Sequence, residues 1–337
     1  MRTRSIIAET SDLAIGYIAR RKVKTVMQHL SLQARTGELV ALIGRNGSGK
    51  STLLRTLVGL QPALSGKVIL QGKELNTIGS SRLPRIVSFA STEPMAIRNI
   101  RVRDVIALGR FPFTNWIGTV TPEDEEAVNK AIDATGLMQL AGQSIDNISD
   151  GERQRTLIAR SLAQDTGLLV MDEPTAFLDL PSRYSIVSLL RQLTRERDKC
   201  VIYSTHDLDT AINEADRIWL MTEEGIAEGA PEDLILSGAV ARAFESPLLS
   251  FSKSEGTFSF IRGRQTGVAL EGKGLAARLT EKALGREGYR IDPEAPLKVT
   301  VSVTSGGNEW IVSDGLEKTR CLSLYDLLGH LPDEPGQ

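Results

Sequence analysis

The sequence predicts an α/β protein: a mainly parallel sheet, a helical insertion over about residues 98–164, and a small C-terminal α+β unit from about residue 265. Three observations lead there. A glycine-rich run, Gly44-Arg45-Asn46-Gly47-Ser48-Gly49-Lys50-Ser51-Thr52, lies between an apolar segment and an amphipathic one. Two continuous apolar runs, Leu168–Met171 and Val201–Ser204, flank a helix-period segment, as in strands buried on both faces of a parallel sheet. The stretch between about 98 and 164 contains helix-like segments and no strand-like one.

The first 80 or so residues alternate short apolar strands with turns. Leu39 to Ile43 reads as the strand entering the glycine-rich run, and Leu53, Leu54, Leu57 and Val58 as the apolar side of the helix leaving it. Gly59-Leu60-Gln61-Pro62 ends that helix, and Gly66 to Gly72 reads as a strand bounded by glycines. Helices are expected over Arg103–Gly109, Pro122–Gly136 and Glu152–Gln164. Thr121-Pro122-Glu123-Asp124-Glu125 supplies a cap, a first-turn proline and acidic residues for the helix dipole. Ser182 to Arg197 is the helix between the two apolar strands. Beyond 264 the expectation is a helix at Leu275–Leu284 and a strand at Leu297–Val303. A turn at Ser305–Asn308, a strand at Trp310–Val312 and a closing helix at Leu322–Leu331 follow.

The chain has 337 residues, 41% of them hydrophobic and 24% charged, enough for one large domain and an appendage. A net charge of -2 gives no general attraction to nucleic acid or anionic membrane. Cys200 and Cys321 stand far apart, in no metal-like spacing, and read as reduced thiols. The basic start is followed only by Ile6-Ile7-Ala8, too short for a signal-peptide core, and no apolar stretch spans a bilayer. Membrane work is therefore expected to run through a partner.

In its strand–loop–helix setting the glycine-rich run is a phosphate-binding loop. Successive backbone N–H groups turn inward on phosphate oxygens, and the helix N-terminus adds its positive end. Lys50 is then expected to reach the β- and γ-phosphates and Ser51 to offer its hydroxyl to Mg²⁺, which implies a nucleoside triphosphate. Asp172 and Glu173 close the strand Leu168–Met171; one carboxylate can hold Mg²⁺ while its neighbour orients or deprotonates a water. Ser149 is a helix N-cap candidate in Ser149-Asp150-Gly151-Glu152-Arg153-Gln154. His206 follows the second apolar strand and is a γ-phosphate candidate, whereas His29 and His330 read as structural.

The order of these motifs resembles the ATP-binding subunit of ATP-binding-cassette (ABC) transporters over roughly residues 10 to 260. The matching motifs are Walker A (Gly44 to Thr52), the signature (Ser149 to Gln154), Walker B (Leu168 to Asp172) with Glu173, the D-loop (Phe177 to Asp179) and the switch histidine (His206). The resemblance implies a P-loop NTPase (ABC ATPase) domain over 1–264 and two such subunits packed head to tail around two ATPs. Gly44, Asn46, Gly47, Ser48, Gly49, Lys50, Ser51 and Thr52 of one copy would hold each ATP, with Ser149, Gly151 and Asp179 contributing to the composite site. It further implies Tyr17 stacked on adenine, Glu173 polarising water, Asp172 supporting Mg²⁺ and His206 at the γ-phosphate. The family's usual glutamine aligns with Thr92, a third metal-site position, whose shorter reach makes contact with Mg²⁺ a question. Asp150 stands where the signature usually has glycine, and is expected to point away from nucleotide.

Leu108-Gly109-Arg110-Phe111-Pro112-Phe113, followed by Trp116, is similar to the corresponding stretch in importers of iron–siderophore, haem and vitamin B12. This resemblance implies a peripheral subunit on the cytoplasmic face of the inner (cell) membrane. Its partners would be a second copy of itself, transmembrane permease subunits and, indirectly, a substrate-binding protein, with no nucleic acid. Iron chelate leads as cargo, with vitamin B12 or haem behind. A soluble ABC ATPase of cofactor assembly is the competing reading; a ribosome- or DNA-directed ABC protein would show two cassettes, a coiled coil or a basic face.

Overall fold

The computed structural model describes residues 4–19, 22–91, 99–114, 119–252, 256–260, 266–304 and 307–331. The chain divides into two compact units, one of residues 1–245 with 251–257, the other of residues 246–250 with 258–337.

The first unit opens with β1 (Ile6–Ala19), β2 (Lys22–Leu30), β3 (Gln33–Arg35) and β4 (Leu39–Gly44). Next come α1 (Lys50–Leu57), β5 (Ser65–Leu70), β6 (Lys73–Glu74) and β7 (Val87–Ser91). Strands β1, β2, β3, β5 and β6 make an antiparallel sheet. The insertion follows with α2 (Val102–Ala107), α3 (Pro122–Ala134) and α4 (Asp150–Ala163). The chain then returns through β8 (Leu168–Asp172), α5 (Leu180–Glu196), β9 (Cys200–Thr205), α6 (Leu208–Glu214), β10 (Arg217–Thr222) and β11 (Gly225–Gly229). Two short helices, α7 (Pro231–Leu236) and α8 (Ala239–Phe244), close the unit.

The main sheet has the order β11-β10-β4-β9-β8-β7, parallel except at the β11 edge. Every residue of β4, β8 and β9 is buried, which is why these segments read as unbroken apolar runs. Leu13, Ile15 and Leu30 of the antiparallel sheet share one core with Val40, Leu42, Leu53, Leu57, Val170, Ile202 and Trp219. The strand order sets β4, β9 and β8 side by side, so the loops at their carboxyl ends converge. Ligands of open α/β sheets bind at such ends.

In the insertion, Thr121 caps α3 reciprocally with Asp124, behind Pro122 at the first turn. A 3₁₀ segment, Leu108–Phe113, leads out of α2. A β-carbon on Gly109 would lie 2.1 Å from the Arg160 carbonyl oxygen of α4, so only glycine fits there. Arg110 donates from Nε to Asp124 Oδ1 (2.7 Å) and from Nη1 to the Ala163 carbonyl (3.0 Å). Its guanidinium also lies 3.9 Å from the Phe113 ring centroid. Phe113 is thus absorbed into packing, whereas Phe111 is 75% exposed; Trp116 lies outside the described residues.

Strand β12 (Leu249–Ser252) pairs with β13 (Thr257–Phe260) in a separate two-stranded sheet. The second unit continues with β14 (Thr266–Glu271), α9 (Gly274–Arg286), β15 (Tyr289–Ile291), β16 (Lys298–Thr304), β17 (Gly307–Ser313), β18 (Lys318–Cys321) and α10 (Leu324–Gly329). Its sheet runs β15-β14-β16-β17-β18 and has its own core, including Val268, Leu284, Val299, Trp310 and Leu327. Trp310 Nε1 donates to the buried Thr280 Oγ1 at 2.7 Å. The closing helix is shorter than the sequence suggests, because Ser323 caps it by accepting from Asp326 N–H (3.1 Å). Strands β14, β15 and β18 add to the two strands read from sequence.

Candidate nucleotide site

Lys50 begins α1 directly after the turn 44–49, and the backbone there is of a kind only glycine adopts readily. Gly47 and Gly49 have φ of 78° and 105°. A β-carbon at Gly49 would lie 2.3 Å from Val26 Cγ1 of β2. The buried Lys50 donates from Nζ to the carbonyls of Gly44 (2.9 Å) and Arg45 (3.3 Å). Burial pushes its pKa down, while the carboxylates of Glu173 and Asp172 push back. The ammonium is therefore poorly solvated and faced by two carboxylates, well placed to exchange carbonyl partners for phosphate oxygens.

The parallel pairing of β8 with β9 brings Ser204 to the end of the carboxylate strand. Ser204 Oγ donates to Asp172 Oδ1 at 2.6 Å and accepts from the Glu173 N–H at 2.8 Å. One hydroxyl thus orients both acidic residues. Sequence reading passed over it, since a serine at a strand end carries no motif of its own. His206 Nε2 donates to Glu173 Oε1 at 2.5 Å. Glu173 and Phe177 both have left-handed backbones, φ 52° and 62°, so the chain turns sharply after β8. Asp179 then accepts from Ser182 N–H (3.1 Å) and caps α5.

A cavity of about 1650 Å³ gathers Tyr17, Arg45, Asn46, Gly47, Ser48, Gly49, Lys50, Ser51, Thr52, Glu173 and His206 in its lining. Lys24 to Leu32 of β2 and the following turn, with Met221 to Ala227 around the β10–β11 turn, also line it. Gly44 meets this group through its carbonyl bond to Lys50, and Asp172 through Lys50 and Ser204. Tyr17 is 49% exposed, and its hydroxyl hydrogen-bonds to Thr52 Oγ1. The β2 wall was not anticipated from sequence; it follows from the antiparallel pairing of Tyr17 with Lys24.

Ser149, Gly151 and Asp179 are not in the lining of this cavity. Ser149 caps α4 reciprocally: Oγ accepts from Glu152 N–H (3.3 Å), and Glu152 Oε2 accepts from Ser149 N–H and Oγ (2.8 Å each). These bonds hold the Glu152 carboxyl below its usual range, the backbone bond most. Asp150 is exposed and turns to Arg153, Oδ1 to Nη1 3.2 Å. Thr92 lies outside the described residues.

The ABC transporter family matches residues 27–176, and the iron ABC transporter C-terminal domain matches residues 264–332. The achromobactin transport ATP-binding protein CbrD of Dickeya dadantii is 36% identical over 234 residues, covering 69% of this chain and 86% of that protein. The chain belongs to the ATP-binding subunits of ABC transporters. The ferric enterobactin transport ATP-binding protein FepC of Escherichia coli is 37% identical over 225 residues, 65% of this chain and 82% of that one. Among solved structures, a metal-chelate type ABC transporter in an inward-facing conformation superposes with a TM-score of 0.63 at 25% identity. It covers 76% of this chain and 97% of that one. This chain is accordingly an ABC ATPase, a nucleotide-binding P-loop protein that hydrolyses ATP. Among the described residues no helix is long and apolar enough to cross a membrane.

Proposed function

We propose that this ATPase powers uptake of a siderophore-type iron chelate through a partner permease, from the cytoplasmic face of the cell membrane. The observation that carries the cargo is the match of residues 264–332 to the iron ABC transporter C-terminal domain. Relatives named for achromobactin and ferric enterobactin transport support it. Permease and substrate-binding protein, rather than this chain, would meet the chelate itself. A cobalamin import ATP-binding protein of Halobacterium salinarum, 33% identical over 222 residues, keeps vitamin B12 as the comparison cargo.

For the chemistry we propose ATP in the cavity, Tyr17 against adenine and residues 44–52 around the phosphates. Lys50 would give up its two carbonyl partners for β- and γ-phosphate oxygens. The donor set suits Mg²⁺: the Ser51 hydroxyl and the Asp172 carboxylate are hard oxygen ligands, and Asp172 is already oriented by Ser204. The ion, when bound, neutralises charge on the phosphate oxygens. Glu173 serves as the acceptor of a proton from the attacking water, and His206 fixes the carboxylate's direction. Ser149, Gly151 and Asp179 lie outside this chain's cavity lining, which supports a head-to-tail pair in which they serve the nucleotide of the second copy.

The test is a pull-down of tagged Glu173→Gln protein from native membranes with ATP and Mg²⁺. A polytopic permease should come with it, and that partner's binding protein should take up an iron chelate in preference to cobalamin. Recovery of soluble partners alone would return the chain to the cofactor-assembly ATPases.

A further inference from the structure

Two turns proposed above to act on the second copy's nucleotide come together at a contact between small residues. Gly151 lies in the first turn of α4, two residues after the cap Ser149, and is buried. A β-carbon there would lie 2.9 Å from Ser182 Oγ and 3.3 Å from Ser182 Cβ. Outside its own helix backbone and chain neighbours, nothing else described lies within 4 Å of that point. Ser182 is in the first turn of α5, where its N–H bonds to Asp179. We propose that Ser182 is a positioning residue: by packing on Gly151 it sets the spacing between the signature turn and the turn ending at Asp179, so that the two move as one block.

Both turns are locked from within. Ser149 and Glu152 cap each other at the start of α4. Asp179 caps α5, with Pro181 inside its first turn fixing φ. Bonds from Ser182, its hydroxyl first and then its N–H, hold the Asp179 carboxyl below the usual carboxylate range. With both turns capped, the Gly151–Ser182 contact is where they press together, and a methyl group there would turn the Ser182 hydroxyl aside and push on Ser182 Cβ. The backbone at Gly151 is ordinary helix with no positive φ, so alanine there meets an obstacle of packing and not of conformation.

The inference rests on the reading that Ser149, Gly151 and Asp179 serve the nucleotide of a second copy, and a compensating pair of substitutions separates the two. Four purified full-length variants are compared with the wild type: Gly151→Ala, Ser182→Val, Ser182→Gly, and Gly151→Ala with Ser182→Gly. ATP turnover is measured against protein concentration, together with binding of a fluorescent ATP analogue and melting temperature. Gly151→Ala and Ser182→Val should each lower kcat tenfold or more and raise the protein concentration for half-maximal turnover. Analogue affinity should stay within twofold. The double variant should turn over at least threefold faster than Gly151→Ala, because removing the Ser182 side chain clears space for the new methyl group and keeps the N–H bond to Asp179, while Ser182→Gly alone reads the cost of losing the hydroxyl bond to Asp179. A double variant as slow as Gly151→Ala, with wild-type turnover still rising steeply with protein concentration, would overturn the packing role and leave the paired-site reading intact. Full turnover in both Gly151→Ala and Ser182→Val would also overturn it. Wild-type turnover strictly proportional to protein concentration would remove the paired-site reading and the inference with it.

Discussion

His206 and Glu173, thirty-three positions apart, share a hydrogen bond of 2.5 Å between Nε2 and Oε1 at the mouths of adjacent parallel strand ends. The imidazole holds the carboxylate beside Lys50 and leaves Oε2 for another partner. Glu173→Gln keeps the size of the side chain and removes its basicity. Turnover should fall about 10²- to 10⁴-fold, the usual contribution of a positioned general base. ATP affinity should be retained; undiminished single-turnover hydrolysis would show that another group takes the proton.

Lys50→Ala deletes a buried ammonium already stripped of much of its solvation. Its replacement should weaken ATP binding by about 2 kcal/mol, roughly thirtyfold. Equilibrium titration with a non-hydrolysable ATP analogue measures this, and unchanged affinity would contradict the role given to the loop.

Tyr17 offers its ring to the cavity and its hydroxyl to Thr52. Tyr17→Ala should cost about 1–2 kcal/mol of ATP affinity if adenine stacks there, while Tyr17→Phe should keep most of it. Equal losses in the two variants would assign the effect to the hydroxyl.

Arg110 and Asp124 form a buried pair, with side-chain exposures of 12% and 3%. Burial works against the Asp124 carboxylate, but bonds from Thr121 and Arg110 outweigh it, and the pKa lies below the ordinary 3.8. A depressed acid adds stability above its unfolded pKa and loses it as pH falls through the folded value. Arg110→Ala should therefore destabilise the protein by about 3 kcal/mol near neutral pH, by leaving a buried carboxylate unpaired. The gap to wild type should close as pH drops below about 4, which denaturant melts from pH 7 to pH 3 would reveal.

In the second unit, Thr280→Val would leave Trp310 Nε1 buried without its acceptor. A loss of about 1–3 kcal/mol is expected. Tryptophan fluorescence during unfolding reports it, and Thr280→Ser should restore most of it.

The architecture was legible where burial leaves a local signature. Strands β4, β8 and β9 are covered on both faces and so carry uninterrupted apolar residues, and Thr121 to Asp124 announces α3 through capping chemistry. By contrast β14 contains Gly267 and β15 has three residues, so neither shows enough alternation to be read alone; pairing with β16 and with each other makes them strands. The same division runs through the site. The phosphate loop is contiguous and visible, as is the order of the acidic and histidine positions. Ser204 is different: its value comes from the register of β8 against β9, which sets its hydroxyl beside residues thirty-one and thirty-two positions away. The β2 wall likewise exists only through pairing with β1.

The left-handed backbone at Glu173 and Phe177 has a consequence for evolution and for engineering. Neither residue prefers that conformation, and each departure costs about 1 kcal/mol or more, so the turn that presents the carboxylate is a local weak point kept in place by its neighbours. Phe177, 94% exposed, loses no burial in this chain on replacement. Phe177→Gly should therefore raise the melting temperature while loosening the approach to Asp179, a place where durability and catalysis select for different residues.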